Sequence, residues 1–362
     1  MAQKEGLMSP HPSDWVRGKA IGCGSFGTVH LAMSKATGAL FVVKSAKTDA
    51  AASIDSLRNE ANILQDLDSP YVVRCIGRDL QRAKDGGIEL SIFTEYMAGG
   101  SLADIAEKFG GSLDEDIIRL FTREILHGLK YLHGNGIVHC DIKGKNVLLC
   151  SSGNIKLADF GCAKRLSSVS QATTAGTPLW MAPEVIRKEG VYTASDIWSL
   201  GCTIIEMATG RPPWLNGQSH PEATLMKIAS SDEIPPFPGI FSKDGLDFLS
   251  KCLVRDPKKR ASAEELLNHP FVTGSSLSRS SSRQKNGGDS PVSVLTLEHD
   301  SGDNSVIRIN KQSDEHNRFR RTPFSMKHYQ SAAALKANDD ALRSSGVWIT
   351  VRCYSDSENS IK

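Results

Sequence analysis

The sequence predicts an α+β fold, with a β-rich N-terminal part followed by a larger, mainly helical part. Near the N-terminus, β-branched and apolar runs at 28–33 and 40–44 flank a glycine-containing turn, which is typical of two strands joined by a hairpin. Farther along, apolar residues at 118–132 recur every three or four positions, the spacing of one helix face. Strands and helices are therefore segregated along the chain, as in an α+β fold.

The composition excludes several classes of protein. The 362 residues include 43 Lys and Arg against 41 Asp and Glu, so the net charge of +2 gives no electrostatic reason to expect nucleic acid or a membrane surface as a partner. No apolar run approaches the ~18 residues of a membrane-spanning helix, and the polar start lacks a signal-peptide core. The 8 cysteines form no C-x-x-C pair, which argues against a zinc site. We expect a cytoplasmic protein with reduced cysteines, and the nucleus as a further compartment.

A glycine-rich segment near the N-terminus fits the pattern G-x-G-x-x-G-x-V. Its residues are Ile21, Gly22, Cys23, Gly24, Ser25, Phe26, Gly27, Thr28 and Val29. Glycines allow the backbone to approach phosphate oxygens closely. The pattern also occurs in ordinary glycine-rich hairpins and in dinucleotide-binding folds, but the dinucleotide motif requires a helix directly after the glycines. Since predicted strands follow here, we expect these glycines to cover a phosphate from between two strands.

Lys44 ends an apolar run, where a buried ammonium group needs an anionic partner. Residues 53–67 carry apolar side chains on one predicted helix face, and Glu60 lies beside that face, where it could reach Lys44. The alternatives are a strand-end lysine with its ammonium group in water and a solvated helix carboxylate.

The segment His139–Asn146 places an acid, a lysine and an amide at the offsets of a phosphoryl-transfer loop. Asp141 can accept the proton of an attacking hydroxyl, Lys143 can neutralise the transferring phosphoryl group, and Asn146 can hold magnesium. A short predicted strand then runs into Asp159, which would supply a second magnesium ligand. The alternative for Asp159 is turn chemistry before a glycine.

A hydroxyl-rich segment follows and closes with an Ala-Pro-Glu element at 182–184, as an activation segment does. Its hydroxyl residues are Ser167, Ser168, Ser170, Thr173 and Thr174. With these motifs in this order, residues 15–272 resemble a eukaryotic protein kinase domain. The resemblance implies a bilobal fold with a small β-rich N-lobe and a larger, mainly α-helical C-lobe, and it implies ATP and Mg²⁺ as cofactors.

The resemblance also assigns roles to individual residues. Asp141 becomes the catalytic base and Lys143 the phosphate partner, while Asn146 and Asp159 become the magnesium ligands. Lys44 becomes the phosphate anchor, held by Glu60. The glycine-rich residues from Ile21 to Val29 become the phosphate cover.

A hinge between the lobes is expected after the strand-like run at 90–93. Backbone groups of Glu95 and Met97 would bind adenine there, and Thr94 would be a small gatekeeper. An edge strand followed by a glycine loop would have the same secondary structure, so only the resemblance favours the hinge.

Three further features concern architecture. Residues Ser112–Glu115 fit a capping box that begins a helix, which Gly134–Gly136 would end. Asp196 resembles the aspartate that braces the catalytic-loop backbone of kinases, although a carboxylate early in a helix is also favoured by the helix dipole. Arg260 resembles the arginine that pairs with the Ala-Pro-Glu carboxylate, here Glu184.

Within kinases, Lys143 and the Thr177 that follows Gly176 resemble the Ser/Thr-specific class, so the acceptor is expected to be a Ser or Thr hydroxyl. The chain is similar to the MAP kinase kinase kinase group, especially its MEKK-like members from plants. The segments that carry this similarity are 136–141, 158–165, 176–184, 195–203 and 267–271. Such a kinase acts on MAP kinase kinases in a stress or hormone signalling cascade. A germinal-centre-type or other STE-family kinase is the nearest competitor.

Cys140 departs from the kinase pattern, because most kinases place an arginine before the catalytic base. That arginine binds a phosphorylated residue of the activation segment, and a cysteine cannot form this ion pair. We therefore expect activity to depend only weakly on phosphorylation of Ser170, Thr173 or Thr174. Alternatively, Cys140 is simply a small buried residue, and Lys164 or Arg165 binds the phosphate.

The chain divides into an N-terminal extension at 1–14, the kinase domain at 15–272 and a serine-rich tail at 273–362 that is expected to be disordered. The tail is a candidate for binding regulators, and its apolar cluster at 347–351 could dock on a partner or on the kinase. A scaffold that binds nucleotide without transferring phosphate is the competing class of function. Retention of Lys44, Asp141, Asn146 and Asp159 favours the active kinase.

Overall fold

The computed structural model describes residues 14–24, 27–47, 51–82, 88–166, 176–214 and 221–274. An antiparallel sheet forms the N-terminal part, and helices dominate the remainder, so the predicted α+β class is confirmed. The strands are β1 Trp15–Gly24, β2 Gly27–Ser34, β3 Leu40–Lys47, β4 Cys75–Arg82, β5 Ile88–Glu95, β6 Gly100–Ser101, β7 Ile137–Val138, β8 Val147–Leu149, β9 Ile155–Leu157 and β10 Lys164–Arg165. The helices are α1 Ala51–Leu64, α2 Leu102–Lys108, α3 Glu115–Gly134, α4 Pro183–Ile186, α5 Thr193–Thr209, α6 Pro221–Ser230, α7 Lys243–Cys252, α8 Ala263–Leu267 and α9 Pro270–Thr273.

The N-terminal sheet has the strand order β1-β2-β3-β5-β4. One face buries a cluster of aromatic rings, in which Trp15, Phe41 and Phe93 lie edge to face with centroids 5.8–6.0 Å apart. The other face carries the Lys44 side chain and packs on α1. Because neighbouring side chains of a strand point to opposite faces, Val43 packs with the aromatic cluster, whereas Lys44 lies on the α1 side, where Ala46 joins the larger core.

Gly27 begins β2 at a position that only glycine fits. Its φ is +130°, and an added Cβ would lie 2.4 Å from the carbonyl oxygen of Ser45 on β3. The predicted hairpin therefore closes through direct backbone contact between β2 and β3.

Helix α1 buries Ile54, Leu57, Ala61 and Leu64 against the sheet, as the periodicity predicts. The helix ends at Leu64, three residues before the predicted end. Leu67 belongs to the following turn, in which its N–H donates to the Leu64 carbonyl. Its partly buried side chain still packs on the core.

The predicted capping box at the start of α3 is wrong. Asp114 is the N-cap residue, and its carboxylate accepts a hydrogen bond from the N–H of Ile117 at 3.0 Å. The carboxylate of Glu115 instead accepts hydrogen bonds from the backbone N–H and the hydroxyl of Ser242, just before α7. Glu115, which would close a local capping box, thus binds a residue from a distant part of the chain instead.

Helix α5 is the buried centre of the helical part. Most of its side chains are buried, including Ile197, Trp198, Leu200 and Ile204, each 0% exposed. Among the described residues, no helix combines the length and apolar character needed to cross a membrane. Of the short strands, β7 contacts α5 and pairs with β10, while β8 pairs with β9. Asp141 and Asn146 lie between β7 and β8, and Asp159 follows β9.

Candidate active site

The ammonium group of Lys44 binds two carboxylates. Its Nζ lies 2.7 Å from Oε2 of Glu60 on α1 and 2.8 Å from Oδ1 of Asp159, which follows β9. Burial by itself would lower the pKa of Lys44, but the two carboxylates outweigh it and raise that pKa above its ordinary value. The geometry thus agrees with the ion pair that the sequence indicates for Lys44 and Glu60, and it adds a second carboxylate.

Asp159 is the more open of the two carboxylates. Its side chain is 33% exposed, whereas that of Glu60 is 5% exposed. Burial opposes the charge of Asp159, yet the Lys44 ammonium holds the pKa of this carboxyl below its usual range. Asp159 has a φ of +64° in the left-handed region, which is unfavourable for a residue with a Cβ. The backbone therefore accepts local strain at a negatively charged residue that faces solvent.

Asp141 lies in the loop between β7 and β8, where both of its carboxylate oxygens accept hydrogen bonds. Oδ2 accepts from Nζ of Lys143 and from Nδ2 of Asn146, each at 2.8 Å. Oδ1 accepts from the hydroxyl of Thr177 at 2.6 Å, and that hydroxyl accepts from Lys143 at 2.5 Å. The structure thus brings together the acid, lysine and amide of the predicted loop and adds a threonine.

Asn146 fits the role of a metal ligand. Its Nδ2 donates to the backbone carbonyl and the carboxylate of Asp141, which leaves its amide oxygen for another partner. Asn146 and Asp159 would offer one amide and one carboxylate oxygen. Hard oxygen donors of this kind, together with nucleotide phosphates and water, suit Mg²⁺.

Asp196, at the start of α5, binds the backbone of the loop that carries Asp141. Its carboxylate accepts hydrogen bonds from the backbone N–H groups of His139 and Cys140, each at 2.9 Å, and contacts Nε2 of His133 at the same distance. This confirms the predicted brace. Cys140 has a φ of +66°, so these hydrogen bonds offset an otherwise unfavourable backbone conformation next to Asp141.

The thiol of Cys140 lies beside a small cavity of mixed character. Apolar side chains of Met181, Ala182, Val185 and Val191 line this cavity together with Ser195 and Ser199. Burial and, secondarily, the nearby Asp196 carboxylate raise the pKa of the Cys140 thiol well above its ordinary value, so it stays neutral. The neighbouring Arg165 binds Asp66 at 2.7 Å. Ser170, Thr173 and Thr174, which are proposed for phosphorylation, lie outside the described residues, as does the tail beyond Gly274.

The glycine-rich segment lies on β1 and β2, next to the strand that carries Lys44. Gly22 pairs with Val29 and Cys23 with Thr28, while Val29 also pairs with Lys44 on β3. Ile21 and Gly24 also lie on β1, which β2 separates from the strand of Lys44 in the order β1-β2-β3. The predicted site residues Ser25 and Phe26 lie outside the described residues.

The expected hinge lies at the end of β5. The Glu95 carboxylate accepts hydrogen bonds from Lys156 at 2.6 Å and from the N–H of Arg74 at 2.7 Å. Met97 is buried at 5% exposure. The Glu95 side chain thus ties the end of β5 to Lys156 and Arg74, and both the hinge and adenine binding by the two backbones stay predictions.

Sequence reasoning missed two contacts of this site. The first is Thr177. In the sequence it indicated only that the substrate is a Ser or Thr hydroxyl, but in the structure its hydroxyl bridges Asp141 and Lys143. The second is Glu206 on α5, whose Oε2 accepts from the N–H of Gly144 at 2.8 Å and from the indole of Trp180 at 3.0 Å. A glutamate inside an apolar helix was a visible signal for Glu206, because such residues are rarely buried without partners.

A family model described as "Protein kinase domain" matches residues 15–272. The chain is 43% identical over 262 residues to mitogen-activated protein kinase kinase kinase 17 of Arabidopsis thaliana, covering 72% of this chain and 70% of that protein. It is 43% identical over 272 residues to mitogen-activated protein kinase kinase kinase 20 of the same plant, covering 72% and 78%. It is also 43% identical over 279 residues to mitogen-activated protein kinase kinase kinase A of Dictyostelium discoideum, where it spans only 29% of the relative.

Proposed function

The chain belongs to the protein kinase family, as a Ser/Thr kinase of the MAP kinase kinase kinase group, and we propose that it phosphorylates MAP kinase kinases. The observation that supports this activity is the proximity of two clusters, Lys44 with Asp159 and Asp141 with Lys143 and Asn146. Ala158, directly before Asp159, donates its N–H to the Asn146 carbonyl at 2.9 Å and so links them. Each cluster alone occurs as a structural ion pair, but together they would provide a phosphate anchor, a base and metal ligands.

In the proposed reaction, the substrate hydroxyl binds at Asp141, which accepts its proton as the oxygen attacks the γ-phosphorus of ATP. Lys143 neutralises charge on the transferring phosphoryl group, and Thr177 keeps Asp141 and Lys143 in register. Lys44 holds the nucleotide phosphates beneath the glycine-rich backbone. Asn146 and Asp159 would hold Mg²⁺, which neutralises phosphate charge when bound.

Adenine is proposed to bind at the backbones of Glu95 and Met97, beside Thr94. The proposed domain runs from residue 15 to 272, with the extension and tail on either side. The cytoplasm, and the nucleus in addition, are the proposed compartments. Imaging of the tagged full-length chain tests the compartments.

The substrate class is tested by incubating the full chain with a panel of purified MAP kinase kinases, each inactivated at its own ATP-binding lysine. We expect phosphate on Ser or Thr of their activation segments, located by mass spectrometry. A parallel reaction with Asp141→Asn measures contaminating kinases. Phosphate on a generic basic protein but on no member of the panel would contradict the substrate and leave the kinase activity standing.

A further inference from the structure

Helix α1 contacts the segment after Asp159 through the amide of Asn59. Its Nδ2 lies 2.9 Å from the carbonyl oxygen of Ala163, and 3.3 Å from those of Phe160 and Gly161. All three atoms are acceptors, so only the NH₂ group of the amide can face them. One side chain thus binds three backbone carbonyls that lie about a hundred residues farther along the chain.

Asn59 sits directly before Glu60. The carboxylate of Glu60 binds Lys44, which in turn binds Asp159. The three carbonyls belong to residues just after Asp159. A rotation of α1 that withdrew Glu60 from Lys44 would therefore also break the contacts of Asn59.

A second link between α1 and this segment is weaker. Arg165 on β10 binds Asp66, just beyond α1, but the two side chains are 39% and 57% exposed. Exposed ion pairs contribute little, because water and salt screen them. The contacts of Asn59 are part-buried and involve backbone carbonyls, which restrict the position of the segment more closely.

We infer that Asn59 is a positioning residue, whose amide holds α1 and hence Glu60 against the segment that carries Asp159. The inference rests on the proposed kinase reaction, because that reaction needs Lys44 and Asp159 in place. The contact joins α1 directly to the segment after Asp159 and does not involve Cys140.

The test compares Asn59→Asp with Asn62→Asp in the full chain. Asn62 lies three residues on, and its amide oxygen accepts from Arg78 at 2.8 Å, so an aspartate there keeps its acceptor. At Asn59 the same change sets a carboxylate against three carbonyls. We expect kcat/KM to fall about ten-fold or more for Asn59→Asp, because a carboxylate cannot donate to the three carbonyls in this part-buried contact. For Asn62→Asp it should stay within about two-fold.

Hydrogen exchange of the α1 amides supplies a readout independent of catalysis. We expect about ten-fold faster exchange in Asn59→Asp than in the wild type. Asn59→Leu, of similar size and without charge, should exchange and react like Asn59→Asp, and it carries the test if the aspartate prevents folding. Equal exchange in the wild type and both Asn59 variants would overturn the inference, as would faster exchange with unchanged kcat/KM.

The same data separate the two proposals. If the wild type phosphorylates no substrate while exchange rises in the Asn59 variants, the contact is supported and the kinase reaction is overturned. If the wild type is active and Asn62→Asp loses as much activity as Asn59→Asp, the kinase reaction stands and the positioning role fails.

Discussion

Two ion-pair clusters of this protein use the same chemistry in opposite ways. Arg260 and Glu184 lie 2.8 Å apart with side chains 0% and 1% exposed. Lys44 lies 2.7 Å from Glu60 and 2.8 Å from Asp159, whose side chain is 33% exposed. The first cluster is sealed, whereas the second is partly exposed at Asp159.

The sealed cluster is complete within the protein. Arg260 donates to both oxygens of Glu184 and to the carbonyls of Val254, Ala194 and Arg255. Ser195 donates to the same carboxylate. The open cluster instead keeps charged groups where an incoming phosphate or cation can meet them. The comparison indicates that the sealed pair stabilises the fold. The open cluster is instead positioned to bind a charged ligand.

The largest expected effect is on chemistry, from Asp141→Asn. Removal of the base should lower kcat by about a hundred- to ten-thousand-fold, the usual contribution of a general base. The melting temperature should stay near that of the wild type, because an amide fits the same space. Phosphate transfer to an inactivated MAP kinase kinase measures the first quantity and calorimetry the second. Equal phosphate transfer by both proteins would refute the role of Asp141.

The next effect is on stability, from Arg260→Met. The change leaves the Glu184 carboxylate buried without its partner, so the free energy of unfolding should fall by about 3–5 kcal/mol. Urea denaturation measures it. Lys251→Met is the matched control, because the pair of Lys251 with Asp247 is 45% and 54% exposed and should contribute only about 0–1 kcal/mol. Similar losses in both variants would show that the sealed pair is not special.

A smaller effect is expected from Thr177→Val, which removes the hydroxyl between Asp141 and Lys143. Loss of this hydrogen bond should lower kcat about ten-fold, the equivalent of about 1.4 kcal/mol. Thr177→Ser keeps the hydroxyl and serves as the control. The steady-state rates of the two variants give the comparison, and a serine variant as slow as the valine variant would assign the loss to packing.

The smallest expected effect is that of phosphatase treatment. Residue 140 is a cysteine, whose thiol carries no positive charge, so it cannot form the ion pair that couples a phosphate to the catalytic base. Activity should therefore fall by less than about two-fold after dephosphorylation, since no arginine–phosphate ion pair is lost at this position. Mass spectrometry must show that Ser170, Thr173 and Thr174 carry no phosphate. Near-complete loss of activity would contradict this expectation and indicate that Lys164 or Arg165 binds the phosphate.

Much of the candidate site could be predicted from the sequence because its parts are short and chemically distinctive. The glycine spacing, the position of Lys44 at the end of an apolar run and the spacing of Asp141, Lys143 and Asn146 each restrict function within a few residues. Helical periodicity also placed Glu60 on the correct side of α1. Asp196, Glu184 and Arg260 were found through resemblance alone, since nothing local marks a carboxylate as a brace.

Other features could not be predicted because competing partners come from distant elements. Ser112 and Glu115 satisfy the local rule for a capping box, but Ser242 binds Glu115 and Asp114 caps the helix. Asn59 looks like an ordinary polar residue of a helix, and only the fold brings Ala163 within 2.9 Å of it.

The sequence by itself determined which chemical groups this protein has for phosphate transfer, because side-chain type and short-range spacing are fixed by the covalent chain. The tertiary structure decided which of those groups meet, which are sealed and which stay open. Hydrogen bonds between elements a hundred residues apart depend on packing, and no local pattern encodes them. Asp159 and Glu184 are both carboxylates that bind a basic side chain. They differ in exposure, so Asp159 can still bind a metal ion, whereas Glu184 is enclosed in the fold.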